Sequence, residues 1–133
     1  FTAQTGCVEA AYGEIEVLPG VKIDGKLTLG ENIADIGGLK AAHAAWRSWR
    51  RERPGPPAID ALSDDQLFFL GFAQSWCTQI TDEALRLHVA TDFHSPPEQR
   101  VNVSLSHLPA FWEAYQGGPG TPMHAEPAAC EVW

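Results

Sequence analysis

Two carboxylates carry the first chemical signal in this chain. Glu31 and Asp35, within Gly30-Glu31-Asn32-Ile33-Ala34-Asp35, stand four residues apart and share one side of the segment if it is helical. Like charges in that register repel by about 0.2–0.5 kcal/mol unless a cation lies between them. Zinc is such a cation and accepts carboxylate oxygen, and a zinc-ligating His commonly donates its second ring N–H to an acid, a part open to Asp35. On spacing alone, an E-x-x-x-D pair is more often solvated helix surface. His94 and Arg100 are the other chemically suggestive side chains. An imidazole can donate to a developing oxyanion, and a guanidinium offers a planar fork to a carbonyl or carboxylate. Taken singly, His94 reads as a loop histidine and Arg100 as a surface or ion-pair arginine. His43, His88, His107 and His124 have no ligand-like spacing and read as structural or exposed.

These side chains need elements to hold them. Residues 2–13 read as the end of a helix closing near Gly13, and residues 14–28 as a loop with short extended pieces, turning at Pro19-Gly20 and Asp24-Gly25. The strongest helical pattern spans 30–52, where Ile33, Ile36, Leu39, Ala42, Trp46 and Trp49 recur at three- and four-residue steps. Thr28 is placed to cap it, Glu31 suits the positive end of its dipole, and Gly37-Gly38 is expected to permit close packing of another element. Arg47, Arg50 and Arg51 suit its C-terminal end, and Pro54-Gly55-Pro56-Pro57 stops it. Ser63-Asp64-Asp65-Gln66 has capping-box form before an apolar stretch, Leu67 to Trp76, that is expected to be buried. A helix is expected from Asp82 to about Thr91. A break follows at Ser95-Pro96-Pro97, then a short extended stretch or helical turn at 101–105. A short helix over 109–115 has Pro109 at its first turn, and the tail is irregular.

Composition excludes some partners. Seventeen acids against nine bases give a net charge of −8, with about half of the basic residues in 47–53 and at Arg86 and no second basic stripe beside them, which argues against a nucleic-acid surface. No run of about 18 apolar residues exists to cross a membrane. The cysteines, Cys7, Cys77 and Cys130, have no C-x-x-C spacing. Their number alone leaves two readings even: Cys7 paired with Cys130, or three buried thiols.

Four strings, in order and spanning nearly the whole chain, give the pattern a name. Gly25-Lys26-Leu27-Thr28-Leu29 followed by GENIADIGGL, then Gln66 to Cys77, then Asp92 to Asn102, and finally Met123 to Trp133, resemble the neprilysin family of zinc metallopeptidases. The resemblance implies a mainly α fold with irregular loops and little strand, the C-terminal helical part of a gluzincin-type catalytic domain. It implies that Glu31 is the third zinc ligand, that Asp35 orients a zinc-bound His, and that Asn32 gives local structural support. It also implies that His94 stabilises the oxyanion, that Arg100 hydrogen-bonds a substrate carbonyl, and that Trp76 lines the primed-side specificity pocket. It favours a Cys7–Cys130 disulfide and pairs Cys77 with a cysteine outside this chain.

The family's zinc helix carries H-E-x-x-H, and no such string occurs in these 133 residues. One Zn2+ shared with two histidines outside the chain is therefore expected, supplied by an upstream part of the same peptidase, continuous or held as a second chain. The chain opens at Phe1 in mid-pattern and is expected to be a fragment or a processed piece, inactive alone and with apolar surface left open where the rest packs. Short peptides are the expected substrates. An extracytoplasmic location is expected, whether secreted, periplasmic or as the ectodomain of an anchored protein. The competing reading is a helical peptide-binding module that keeps Trp76 and Arg100 but has no need of a metal-facing Glu31.

Overall fold

The computed structural model describes residues 2–53, 55, 59, 61–125 and 129–132. In chain order these form α1 (Thr2–Gly13), β1 (Glu16–Leu18), β2 (Val21–Lys22), α2 (Leu29–Arg51), α3 (Asp64–Ser75), α4 (Asp82–Thr91), α5 (Pro97–Ser106) and α6 (Pro109–Tyr115). The fold is mainly helical, as expected. The segment after α1 is more ordered than a loop: β1 and β2 pair antiparallel around Pro19-Gly20, where Gly20 takes a φ of +75° that few other residues tolerate. Gly25 has a different reason to be glycine. A Cβ there would lie 2.1 Å from the backbone oxygen of Glu9, so only a bare Cα lets the chain pass this close to α1.

Helix α2 is the axis of the fold. Its first half packs with Val8 and Tyr12 of α1, Ile23 and Cys130 around Ile36. Its second half places Leu39 against Phe69 of α3, Leu105 of α5 and Leu108. The buried line along α2 is Asn32, Ile36, Leu39 and His43. That line is rotated from the apolar pattern, because Ala42 and Trp49 face outward while two polar residues go in. Both are hydrogen-bonded: His43 Nε2 bonds Asp65 Oδ1 at 2.9 Å with its ring stacked on Phe69, and Asn32 is held as described below. Of the glycine pair, Gly37 is buried, whereas Gly38 is exposed with nothing within 4 Å of a Cβ position. The expected close packing therefore applies to Gly37 and not to Gly38.

Local signals set most helix ends. Ser63 and Gln66 form a complete capping box, and Thr81 Oγ1 accepts the Ala84 N–H at the start of α4. Thr28, by contrast, makes no side-chain cap to α2; its hydroxyl donates instead to the Asp24 carbonyl at 3.0 Å. Helix α2 ends at Arg51, and of the Pro54–Pro57 stop signal only Gly55 lies within the described residues. The stretch 101–105 is neither extended nor a single turn. It is the middle of the ten-residue α5, whose first turn uses Pro97, so the Pro96-Pro97 break is also a helix start.

Burial corrects one further expectation. Only Phe69 of α3 is buried, Leu70 is 41% exposed, and α4 buries none of its residues. Trp49, Leu87 and Phe93 are likewise exposed. Cys7 and Cys130 are joined in a disulfide that fastens the tail to α1, and Cys77 is an exposed free thiol. The tail is held again by His107, whose Nδ1 accepts the Cys130 N–H at 3.0 Å.

Candidate active site

The first turns of α2 present Glu31 and Asp35, and the segment from the end of α4 into α5 presents Asp92, His94 and Arg100. Helix α2 packs on α5, so the two groups of residues face each other. Glu31 Oε2 lies 3.5 Å from His94 Nε2, with both side chains about one-third exposed. One turn along, Asp35 takes both hydrogen bonds of the Arg100 fork, from Nε and Nη2, each at 2.7 Å. This bidentate pair is largely out of water, with side chains 12% and 14% exposed. The Asp35 contact holds the Arg100 guanidinium further above its already high ordinary range. Arg100 in turn lies over the Trp76 ring, 4.0 Å from its centroid. Glu31, Asp35, His94, Arg100 and Trp76, scattered over 70 residues of sequence, thus form one contiguous surface.

The cation nearest Asp35 is therefore Arg100. Each carboxylate oxygen carries two lone pairs, so Asp35 can still accept from a further donor.

Asp92 and Ser95, which sequence reasoning left without a role, complete the site together with Asn32, which it read only as local structural support. Asp92 Oδ1 accepts the His94 backbone N–H at 2.9 Å and His94 Nδ1–H at 2.8 Å. Those two bonds, the backbone one first, hold the Asp92 carboxyl below the usual carboxylate range, so it stays an acceptor. With Nδ1 committed to Asp92, the Nε2 edge of the ring is turned to Glu31. The D-x-H spacing was the available signal, since Asp readily caps the backbone two residues on.

The other two make a buried link. Ser95 Oγ donates to Asn32 Oδ1 at 2.7 Å, and Asn32 Nδ2 donates to Thr28 Oγ1 at 2.9 Å. Asn32 and Ser95 are 0% and 1% exposed, and they adjoin Glu31 and His94 in sequence. No pattern signal marks a pair 63 residues apart. Tyr12 is buried in α1 behind α5: its hydroxyl shares a 3.0 Å hydrogen bond with Ser104, and burial pushes its pKa up, so it stays neutral.

The other histidines lie outside this surface, apart from His88, whose Nε2 is 3.0 Å from the His94 carbonyl oxygen. His124 packs in a tilted arrangement against the Trp112 ring. Among the described residues, no group of three or more His, Cys, Asp or Glu side chains converges to hold a metal ion, and no helix is long and apolar enough to cross a membrane.

Comparison with known proteins shows the family and the fold. The chain is 44% identical over 135 residues to endothelin-converting enzyme 1 of Homo sapiens, covering 100% of this chain and 17% of that enzyme. It is 40% identical over 138 residues to Neprilysin-1 of Caenorhabditis elegans, covering 18% of it. The fold superposes on the crystal structure of the Mycobacterium tuberculosis zinc metalloprotease Zmp1 in complex with an inhibitor. The TM-score is 0.90 at 31% identity, over 99% of this chain and 21% of that one. The chain thus spans about a fifth of the length of these relatives. Residues 1–132 match the model of peptidase family M13, and the chain belongs to that family.

Proposed function

We propose that this chain is the C-terminal portion of the catalytic domain of a zinc-dependent peptidase that hydrolyses short peptides, with Glu31 as its one zinc ligand. The observation that carries the reading is the facing of Glu31 and His94 across 3.5 Å, beside an arginine already oriented by Asp35. A lone, partly open carboxylate fits the oxygen donor of a site whose other ligands are two histidines from the upstream part of the same peptidase. Bound zinc supplies Lewis-acid polarisation of the scissile carbonyl and an activated water, with a glutamate of that upstream part as general base.

The residues of this chain have separate tasks. His94, its Nδ1–H held by Asp92, offers an Nε2–H to the developing oxyanion when the ring carries both protons, a contribution of about 3 kcal/mol for a single donor. Arg100, fixed by Asp35, directs its remaining N–H groups to a substrate carbonyl on the primed side. Trp76 lines the neighbouring specificity pocket, and Asp35 also accepts from one zinc-bound histidine. The Cys7–Cys130 disulfide supports an extracytoplasmic location, where such bonds persist, and the exposed Cys77 pairs with a cysteine outside this chain.

The test uses the complete peptidase. Glu31→Ala is expected to lose zinc, and His94→Ala to keep zinc and lose most of kcat. Full zinc content and activity in Glu31→Ala would falsify the ligand assignment.

A further inference from the structure

Helix α4 buries none of its residues, yet its one histidine is turned inward, with a side chain 22% exposed. His88 is fastened to the segment that carries His94 at three points. Its backbone carbonyl accepts the Asp92 N–H at 2.8 Å. Its Nε2 lies 3.0 Å from the carbonyl oxygen of His94, and because a carbonyl can only accept, Nε2 carries the proton. Its Nδ1 faces Asp92 Oδ2 at 3.7 Å, while Asp92 Oδ1 is taken up by the N–H and ring of His94. The first contact is an ordinary helix end that any residue could make. The Nε2 contact needs a ring donor at that position, and the ring lies beside both the backbone of His94 and the carboxylate that sets its ring.

We infer that His88 is a positioning residue for His94. It fixes the His94 carbonyl from a position beside Asp92, so that the His94 ring keeps Nδ1–H on Asp92 and Nε2 toward Glu31. On the opposite side, Ser95 is anchored to Asn32, so the two ends of the segment cannot turn together. Without the His88 ring, the carbonyl loses its donor and the His94 ring gains freedom to rotate. The inference rests on the proposed role of His94.

The experiment compares His88→Leu, which fills the space without a donor, with His88→Gln, whose amide N–H can reach the same carbonyl, in the complete zinc-loaded peptidase. One net hydrogen bond corresponds to roughly a three- to tenfold effect. His88→Leu is expected to lose that factor in kcat and in affinity for a phosphonate peptide, a mimic of the tetrahedral oxyanion. KM for the matching substrate and zinc content should stay unchanged. His88→Gln is expected to recover most of the loss. Adding His88→Leu to His94→Ala should cost nothing further in kcat. In the metal-free protein, the 15N signals of the His94 ring should report a fixed Nδ1–H form in the wild type and in His88→Gln, and averaged forms in His88→Leu. Wild-type kcat and phosphonate affinity in His88→Leu, equal losses in both variants, or a further loss in the double variant would each overturn the inference. If His94→Ala itself leaves kcat and phosphonate affinity intact, the reading of the site has failed. If His94→Ala loses them and His88→Leu does not, only the role of His88 has failed. Should His88→Leu not fold, His88→Gln alone decides through its kcat and its 15N signals, since both must stay near wild type.

Discussion

Ser95 donates a 2.7 Å hydrogen bond to Asn32 in the interior of the fold, and the chain neighbours of these two residues are His94 and Glu31. The side chains proposed for chemistry are partly open to solvent, while the link that spaces them is closed to it. The separation of Glu31 and His94 is therefore set by a bond that water cannot compete for.

Ser95→Ala strands the Asn32 carbonyl oxygen in a dry site. The expected cost is about 1–3 kcal/mol of stability, read from denaturant midpoints at unchanged slope. It should also lower kcat by about tenfold, within the roughly hundredfold that a 1 Å misplacement can cost. A variant with wild-type stability and kcat would show that the link is incidental.

Arg100 and Asp35 should not behave as independent sites. Asp35→Ala leaves a largely buried guanidinium without its partner and should destabilise by about 3 kcal/mol. Arg100→Lys keeps the charge but loses the two-point grip, and is expected to raise KM for peptides with a smaller change in kcat. A double-mutant cycle on the pair should give a coupling of at least about 1 kcal/mol, and additive effects would refute the pairing.

The Cys7–Cys130 bridge closes 123 residues of chain. In the chain-entropy model so long a loop corresponds to about 5 kcal/mol. Reduction, or Cys7→Ser, is expected to lower the melting temperature and to release the tail first. Faster amide exchange at Cys130, whose N–H is bonded to His107, would report that release.

His107 makes the tail sensitive to acid. Burial lowers its pKa below the ordinary value of 6.5, so the unfolded chain takes up the proton first. Its contribution to stability is then complete above about pH 6.5 and is lost as the pH falls through that value toward the folded-state pKa. The same proton would end the acceptor role of Nδ1 toward Cys130 N–H. His107→Asn, which keeps an acceptor but does not titrate, should be less stable at neutral pH and flatter between about pH 6.5 and 5. An equally steep acid dependence in that variant would assign the effect to another group.

Two kinds of helix were legible in the sequence: α2, from its three- and four-residue apolar repeat without a side-chain cap, and those whose ends are specified within four residues. Ser63 with Gln66 and Pro109 at α6 are local hydrogen-bond or dihedral choices, and each stands where its residue type asks. The types at Glu31, His94, Arg100 and Trp76, read against one family's strings, led to the kind of site proposed. Which of those side chains touch was decided by the packing of α2 on α5, which sets Arg100 on Asp35 across 65 positions and Ser95 on Asn32 across 63. The same packing put Asn32 and His43 in the interior against their polarity, and it let the prolines at 96 and 97 start α5 as well as break the chain. The sequence by itself thus determined the family strings, the capped helices and the chemical alphabet of the site. Only the tertiary structure decided the pairings, because a side chain's partner depends on which helix faces meet, and no spacing within a single helix carries that information.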